Sequence, residues 1–369
     1  MCSAAGEWWQ SGQSEPKEDR MQVGTPRIIG RGKLNQWVAH LMSRAEVIAP
    51  TAGQTGDVLF LPIESPEQVA WQFENTLHPP KQFLLPQTEP IVAIRRNGGY
   101  EVEPIYDERK RILFAVRNCD VSGIKYLDQV QNYELTDAYY AKRRQNTMLI
   151  SLACNRPCER CFCICSGSGP FLEEGYDLQL TDMGGKFLAE PGTEQGEAVL
   201  AEAAGLFEPA SDRDIRRRHE LEEAARASFA DYTCHFASAM RRISTRKVDE
   251  SLWASMGDWC LQCGGCNLIC PTCYCFSVKD RAVDGVVMRQ RMWDSCQYAA
   301  FTLEASGHNP RPDRKDRMKR RFFHKVSAQY TMRDGIVGCV GCGRCITVCM
   351  GTTDMPAIAR GVRKGVWNG

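Results

Sequence analysis

The sequence predicts an α+β protein in which a mixed α/β domain precedes a mostly helical domain. Three observations lead to this fold class. Short apolar runs of strand length alternate with helix-capable segments, two segments rich in Ala, Glu and Arg follow them, and the last third combines helix-capable sequence with runs of cysteine. The length of 369 residues fits two domains. We place a flexible tail at 1–30, the first domain at 31–245 and the second at 246–369.

The first domain is predicted to begin with a helix and to contain a mixed sheet. Apolar side chains recur at helical spacing from Leu34 to Met42, and Val47 to Pro50 then has the character of a short strand. Further strand-like runs are Val58 to Leu61, Ile91 to Ile94, Ile112 to Val116 and Met148 to Ala153. The segments at 196–206 and 211–230 predict surface helices that lead out of this domain.

Charge and hydropathy exclude several classes of protein. The chain has 46 Lys and Arg residues against 45 Asp and Glu residues, so no overall field attracts nucleic acid or anionic lipid. Its apolar runs are far shorter than the roughly 18 residues of a membrane-spanning helix. The polar N-terminus lacks the basic start and apolar core of a signal peptide. We therefore expect a cytoplasmic protein without a membrane span.

Cysteine is the unusual component of the sequence. Nineteen cysteines in a chain with no export signal argue against a disulfide framework, because the cytosol keeps thiols reduced. Most of them are grouped, whereas Cys2 lies in the tail and Cys234 is isolated. Grouped cysteines in a reducing compartment predict metal ligation.

Two runs of four cysteines share the spacing C-x2-C-x2-C-x3-C. They are Cys260, Cys263, Cys266 and Cys270, followed by Pro271, and Cys339, Cys342, Cys345 and Cys349. In ferredoxins with this spacing the first three thiolates bind one [4Fe–4S] cubane and the fourth binds the other. We therefore predict cluster 1 on Cys260, Cys263, Cys266 and Cys349, and cluster 2 on Cys339, Cys342, Cys345 and Cys270. We therefore expect the second domain to be a ferredoxin-like two-cluster domain. The long gap between Cys270 and Cys339 is expected to contain an inserted helix pair.

Zinc is the alternative occupant of these runs. Zinc sites also use C-x2-C pairs, but they take two such pairs and do not require the third and fourth cysteines at this register. Met350 stands where the second run would usually have proline. Since proline ligates nothing, this departure should change local rigidity and leave cluster binding intact.

Motifs outside the two runs resemble a known family. In chain order they are Lys81-Gln-Phe-Leu-Leu-Pro86, Arg117-Asn-Cys-Asp120, Asp137-Ala-Tyr-Tyr140, Cys161-Phe-Cys163, Pro271-Thr-Cys-Tyr-Cys-Phe276, Trp293-Asp-Ser-Cys296, Gly307-His-Asn-Pro-Arg311 and Arg320-Arg-Phe-Phe-His-Lys325. They resemble the dicluster [4Fe–4S] electron-transfer subunits of the sulfhydrogenase β and anaerobic sulfite reductase A type. The resemblance covers roughly Leu34 to Asp354, although Asn118 stands where that family more often has proline.

The resemblance implies a subunit that connects two partners. One partner would bind FAD and NAD(P), and the other would be a catalytic subunit, either a [NiFe] hydrogenase or a sulfite-reductase-like subunit. The sequence itself contains no complete G-x-G-x-x-G fingerprint, since Gly167-Ser-Gly169-Pro170 stops short of it. It also lacks a G-x-S-x-G elbow, a Walker loop and an H-E-x-x-H helix. Flavin and nicotinamide are therefore expected on a partner.

A third [4Fe–4S] cluster is predicted in the first domain. Cys119 and Cys154 end predicted strands, and strand ends on one edge of a sheet bring loops together. The candidate ligands are Cys119, Cys154, Cys161 and Cys163, with buried thiols or a zinc site as the alternative. Cys158 and Cys165 lack counterparts in the family motif. The roles of Cys273, Cys275 and Cys296 stay open between ligand and buried thiol.

The segment from Arg311 to Lys325 carries eight cations against two aspartates. It is either a solvated helix face, or a set of charges that offsets anionic clusters or docks an acidic partner. Nucleic-acid binding is disfavoured because stacking aromatics are not interleaved with these cations.

The function that fits the whole sequence best is a relay of single electrons. The alternative is an oxidoreductase subunit with its own small-substrate site near Arg117, Asp120 and Cys154 to Cys165.

Overall fold

The computed structural model describes residues 24–54, 56–96, 99–230, 232 and 234–367. The expected flexible tail at 1–30 lies mostly outside these residues. The last residues of the predicted tail are ordered, because Arg27–Gly30 forms strand β1 and pairs with two neighbouring strands. Ile28 and Ile29 are buried there, and burial of two isoleucines stabilises the ordered strand.

An eight-stranded mixed sheet forms the core of the first part of the chain. In spatial order its strands are β10 (Phe207–Pro209), β1, β9 (Lys186–Pro191), β8 (Leu178–Asp182), β7 (Thr147–Leu152), β6 (Arg111–Arg117), β2 (Glu46–Ala52) and β3 (Val58–Pro62). Strands β2, β6, β7 and β8 are parallel, and every residue of β6 and β7 is buried. Their carboxyl ends therefore meet at one edge, as in other covered parallel sheets.

Helices cover this sheet. They are α1 (Leu34–Met42), α2 (Asn118–Val130), α3 (Ala138–Gln145), α4 (Glu194–Glu202) and α5 (Asp212–Ala227). Helix α2 follows β6 without a loop, which places its first turn at the carboxyl edge of the sheet. Helix α5 begins with a capping box in which the side chains of Ser211 and Asp214 bind each other's backbone N–H.

A second sheet joins the two parts of the chain. Its antiparallel strands are, in order, β11 (Phe276–Val283), β12 (Val286–Trp293), β4 (Thr88–Arg96) and β5 (Tyr100–Pro104). The sequence predicted a helix pair between the two cysteine runs. In the structure the β11–β12 hairpin comes first in this segment, and helices follow it. Its turn is Asp284-Gly285, and both residues have positive φ, as a tight hairpin turn requires. Because β12 pairs with β4, the segments predicted as two domains share one sheet.

Helices dominate the rest of the second part. They are α6 (Phe236–Ser244), α7 (Glu250–Trp259), α8 (Gly265–Leu268), α9 (Arg314–Val326), α10 (Ala328–Asp334), α11 (Arg344–Val348) and α12 (Met355–Lys364). Trp253, Met318, Phe322 and Ile358 form the centre of their shared core. Among the described residues, no helix is long and apolar enough to span a membrane.

Candidate iron–sulfur centres

The two cysteine runs turn in the same way. Gly264 follows the second cysteine of the first run with φ 72°, and Gly343 occupies the equivalent position of the second run with φ 78°. A Cβ on Gly264 would lie 2.6 Å from the ring of Tyr298, and one on Gly343 would lie 2.4 Å from the Arg160 carbonyl oxygen. Both positions need glycine, because the backbone is left-handed and its neighbours are too close for a side chain. Short helices α8 and α11 follow these turns and carry the third cysteines.

The structure brings the four residues predicted for cluster 1 around one small cavity. Its cysteines are Cys260, Cys263, Cys266 and Cys349. The backbone N–H of Thr353 donates to the Cys349 sulfur over 3.2 Å, which favours the thiolate. Cys263 is exposed, so this cavity lies at the protein surface.

A second cavity collects the four residues predicted for cluster 2. Its lining includes Cys270, Cys339, Cys342 and Cys345, together with Phe162, Arg321 and Lys325. Cys266 also lines it, so the two cavities are neighbours. Cys339 and Cys342 are buried, which places this second cavity deeper than the first.

Helix α9 carries a row of buried cations, two of which, Arg321 and Lys325, line the second cavity. Arg317, Arg321 and Lys325 follow one another at intervals of four residues and are 3%, 3% and 7% exposed. The Lys325 ammonium donates to Thr272 Oγ1 over 2.7 Å and to the Gly338 carbonyl oxygen over 3.0 Å. In the described part of the chain, no carboxylate forms an ion pair with any of the three. The sequence left these charges open between a solvated face and cluster compensation, and burial favours the second interpretation.

The electrostatics of Lys325 point to an anion nearby. Burial by itself lowers the pKa of a lysine, since it disfavours the charged form. The neighbouring thiols Cys270, Cys273 and Cys339 outweigh that effect and raise the pKa of Lys325 above its ordinary value. The ammonium therefore stays charged in a place where the available counter-charges are sulfur groups.

The donor groups of the second cavity fit a [4Fe–4S] cluster. Within the described residues, Arg321 Nε is buried without a hydrogen-bond partner, although its side chain lines the cavity. An unpaired buried N–H is costly, so such a group calls for an acceptor. A cluster held by four thiolates brings negative charge and sulfur acceptors, and hydrogen bonds to its sulfurs are one way in which proteins set its potential.

Sequence reasoning did not single out Lys81 as part of this site. Its side chain is 2% exposed, and its ammonium donates to the Cys273 carbonyl oxygen over 2.8 Å and lies 4.2 Å from the ring centre of Trp293. Burial lowers the pKa of Lys81 to about 8. Lys81 lies in a single short helical turn, Pro80–Phe83, so no periodic pattern distinguishes it in the sequence, and it stood out only as the first residue of a family motif.

Three of the four residues predicted for a third cluster lie together at the carboxyl edge of the large sheet. Cys119 is in the first turn of α2, Cys154 follows β7, and Cys163 begins a short helical turn. Burial raises the pKa of Cys119, with Asp120 and Cys342 adding to it. Burial likewise raises the pKa of Cys163 to about 12, with Cys154 adding to it.

The fourth predicted ligand, Cys161, is not a free thiol in this structure. Cys161 forms a disulfide with Cys158, a residue that the prediction left out. Because iron is bound by thiolate and not by disulfide sulfur, the expected four-thiolate set is incomplete here. The C-x2-C spacing of this pair equals the first gap of both cysteine runs and could have drawn attention to Cys158.

The residues of the alternative substrate site are already engaged. Asp120 is fully buried and accepts two hydrogen bonds from Arg344, over 2.6 and 2.8 Å. Arg117 donates to the Phe73 carbonyl oxygen, and its guanidinium lies 4.0 Å from the centre of the Phe73 ring. The contact between Asp120 and Arg344 holds the carboxyl edge of the sheet against the second cysteine run.

Of the other described cysteines, Cys273 interacts with the proposed ligand Cys270, and the rest form two pairs. The backbone N–H of Cys234 donates to the Cys165 sulfur over 3.2 Å. The thiols of Cys275 and Cys296 influence each other's pKa, which is raised at Cys275 and lowered at Cys296. In the described ranges, no group of three or more His, Cys, Asp or Glu side chains is close enough to hold a single metal ion. A cubane differs in that its cysteines surround four irons.

Comparison with known proteins defines the class of the chain. Residues 259–353 match the family described as "4Fe-4S dicluster domain", and this range contains both cysteine runs. The chain is also 32% identical over 308 residues to "Sulfhydrogenase 2 subunit beta" of Pyrococcus furiosus, which covers 83% of this chain and 89% of the relative. The chain therefore belongs to the family of dicluster [4Fe–4S] electron-transfer subunits that includes this sulfhydrogenase β subunit, and the resemblance drawn from its motifs is confirmed. It is an iron–sulfur electron-transfer subunit.

Proposed function

We propose that this chain relays single electrons through two [4Fe–4S] clusters that have crossed ligation. Cys260, Cys263, Cys266 and Cys349 would hold cluster 1, and Cys339, Cys342, Cys345 and Cys270 would hold cluster 2. The observation that carries the proposal is that each cavity combines three cysteines of one run with the last cysteine of the other. When bound, such clusters supply one-electron carriers whose potential the protein sets by charge and hydrogen bonding.

The positions of the two cavities support a path for electrons. The first cavity reaches the surface at the exposed Cys263, and the second lies among buried groups. Cys266 lines both cavities, so an electron that enters at one site has the other as its neighbour. A partner that docks at Cys263 would therefore have direct access to cluster 1.

A third cluster would extend this path into the first part of the chain. Cys119, Cys154 and Cys163 would be three ligands, and Cys161 would become the fourth after reduction of its bond to Cys158. Cys161 already lies beside the second run, because its sulfur is 3.8 Å from the Cys342 carbonyl oxygen. Replacing Cys119 and Cys161 together by serine should then remove about four irons and leave the other two clusters intact.

The partners would be a subunit that binds FAD and NAD(P) and a catalytic subunit of [NiFe] hydrogenase or sulfite-reductase-like type. The name of the Pyrococcus furiosus relative, a β subunit of a sulfhydrogenase, supports a multisubunit complex. The missing dinucleotide fingerprint supports placing flavin and nicotinamide on another chain. We place the complex in the cytoplasm, where reduced thiols are maintained.

Metal analysis of anaerobically purified protein tests the proposal. We expect about eight irons per chain from two clusters, or about twelve with the third, and a matching amount of acid-labile sulfide. Zinc in stoichiometric amounts with little iron would refute the cluster assignment.

Mass spectrometry of proteins that co-purify with the tagged chain under the same conditions should find a flavoprotein and a catalytic subunit.

A further inference from the structure

Two thiols that the proposed clusters do not use meet at the base of the β11–β12 hairpin. Cys275 directly precedes β11, and Cys296 lies three residues after β12. The backbone N–H of Asp294 donates to the Cys275 carbonyl oxygen over 2.9 Å, so the strand pairing continues to this point. Each of the thiols of Cys275 and Cys296 is the largest influence on the pKa of the other, which is raised at Cys275 and lowered at Cys296.

Two buried amide groups are directed at one of these thiols. The Asn267 side chain donates to the Cys296 sulfur over 3.0 Å, and the Gln297 side chain donates over 3.7 Å. Asn267 is 2% exposed and Gln297 is 1% exposed, so neither amide can exchange this contact freely for water. N–H donors stabilise a thiolate more than a thiol, because the thiolate carries the full negative charge.

The same amides connect the thiol pair to the cluster sites. Asn267 follows the proposed ligand Cys266 in the chain, and its side-chain oxygen lies 3.3 Å from the Cys266 sulfur. Gln297 lines the first cavity. A single side chain, that of Asn267, therefore separates the Cys296 thiol from Cys266, a proposed ligand of cluster 1.

We propose that Cys275 and Cys296 form a redox-active dithiol–disulfide couple that holds two electrons beside the clusters. Oxidation breaks the Cys275 S–H bond, joins its sulfur to the Cys296 thiolate in one S–S bond and releases one proton and two electrons. The electrons pass one at a time to an oxidised iron–sulfur carrier, and reduction by reduced carriers of the same class reverses the reaction. This inference rests on the proposed function, since that function supplies the carriers.

The amide donors should change the reduction potential of the Cys275–Cys296 couple in a definite direction. They stabilise the reduced form of the pair, in which Cys296 has thiolate character, relative to the disulfide. A couple whose reduced form is stabilised has a higher reduction potential. Gln297→Leu, which removes one donor, should therefore shift the midpoint to a more negative potential.

The test uses the iron-loaded full chain, equilibrated without oxygen in mixtures of oxidised and reduced dithiothreitol and then treated with an alkylating reagent. Peptide mass spectrometry should find the Cys275 and Cys296 peptides joined by a disulfide in oxidising mixtures and both alkylated in reducing ones, with one shared midpoint. Peptides that are alkylated in every mixture, or midpoints that differ between the two cysteines, would overturn the couple.

Variants separate a redox couple from further cluster ligands. Cys275→Ser and Cys296→Ser should each leave the other thiol alkylated in every mixture, with the iron content of the wild type. Loss of iron from either variant would identify a ligand and reject the couple. Cys234→Ser, which removes a buried thiol of a different pair, should leave the linked peptide unchanged. Wild-type protein without iron would instead refute the proposed function, so the two failures are distinct.

Discussion

At the scale of single residues, the most informative feature is a positive charge buried without a carboxylate. Within the described residues, Lys325 and Arg321 hydrogen-bond to neutral oxygens and lie among thiols. Burying an unpaired ion costs several kcal/mol, so such residues persist where another negative charge compensates them. The clusters would supply that charge.

Lys325→Met should lower the reduction potential of cluster 2. A unit charge several ångströms away at an effective dielectric constant near 20 contributes about 1–3 kcal/mol, or roughly 50–120 mV for one electron. Removing it stabilises the oxidised cluster, so the midpoint in an electron paramagnetic resonance titration should fall. Lys319→Met is the matched control, because Lys319 lies on the same helix but is exposed and paired with Glu250. Equal midpoints for the wild type and both variants would contradict charge compensation.

The buried ion pair between Asp120 and Arg344 should matter mainly for stability. Asp120→Asn leaves the Arg344 guanidinium buried without its counter-charge, which costs about 3–5 kcal/mol. In a chain of this size that loss should lower the thermal midpoint of the iron-loaded protein by about 4–6 °C. Lys125 lies on the same helix as Asp120 and forms a largely exposed ion pair with Glu174. Lys125→Met should therefore change the midpoint by about 2 °C or less. Similar shifts of the thermal midpoint for both variants would show that the buried ion pair contributes no more to stability than the exposed one.

At the scale of elements, the loop of the second cysteine run is fastened to the first part of the chain. Three successive carbonyl oxygens, of Val340, Gly341 and Cys342, accept hydrogen bonds over 2.6, 2.7 and 3.0 Å. The donors are the Ser168 hydroxyl, the Phe162 backbone N–H and the Asn75 side chain. The cluster-binding loop is therefore shaped by residues that precede it by more than 170 positions.

Gly341→Ala should disturb this contact and release iron from cluster 2. Gly341 has φ 59°, and an added Cβ would lie 2.4 Å from the Phe162 carbonyl oxygen. Gly335→Ala is the control, since φ is 75° there but an added Cβ would meet no atom within 4 Å. Both changes carry the backbone cost of about 1–2 kcal/mol for a left-handed residue with a side chain. Only Gly341→Ala should also lose iron, and equal iron in the two proteins would argue against the contact.

The sequence predicted the elements that have periodic patterns and missed those that depend on partners. Helix α1 and strands β2, β6 and β7 lie where apolar periodicity predicted them. Strand β5 is exposed along its whole length, so it has no apolar pattern to detect. The β11–β12 hairpin carries charged side chains, and only its Asp284-Gly285 turn could have predicted it.

At the scale of the whole molecule, the two parts of the chain interlock more closely than a two-domain division suggests. Strand β12 pairs with β4, and the second cysteine run packs on the carboxyl edge of the large sheet. The grouping of the eight run cysteines followed from spacing, because the spacing reflects how a short loop surrounds a cubane. The burial of the row on α9 depends on contacts distant in sequence, which no local pattern encodes. The Cys158–Cys161 bond joins residues only three positions apart, and its C-x2-C spacing is visible in the sequence.

Crossed ligation, in which each cluster is held by cysteines of both runs, can be tested by one comparison of variants. Electron paramagnetic resonance spectra of the reduced, iron-loaded protein are recorded for Cys260→Ser, Cys349→Ser and Cys339→Ser. Cys349→Ser should perturb the same cluster signal as Cys260→Ser, although the two residues lie in different runs, and Cys339→Ser should perturb the other signal. If Cys349→Ser instead perturbs the same signal as Cys339→Ser, each run holds its own cluster and the ligation is not crossed.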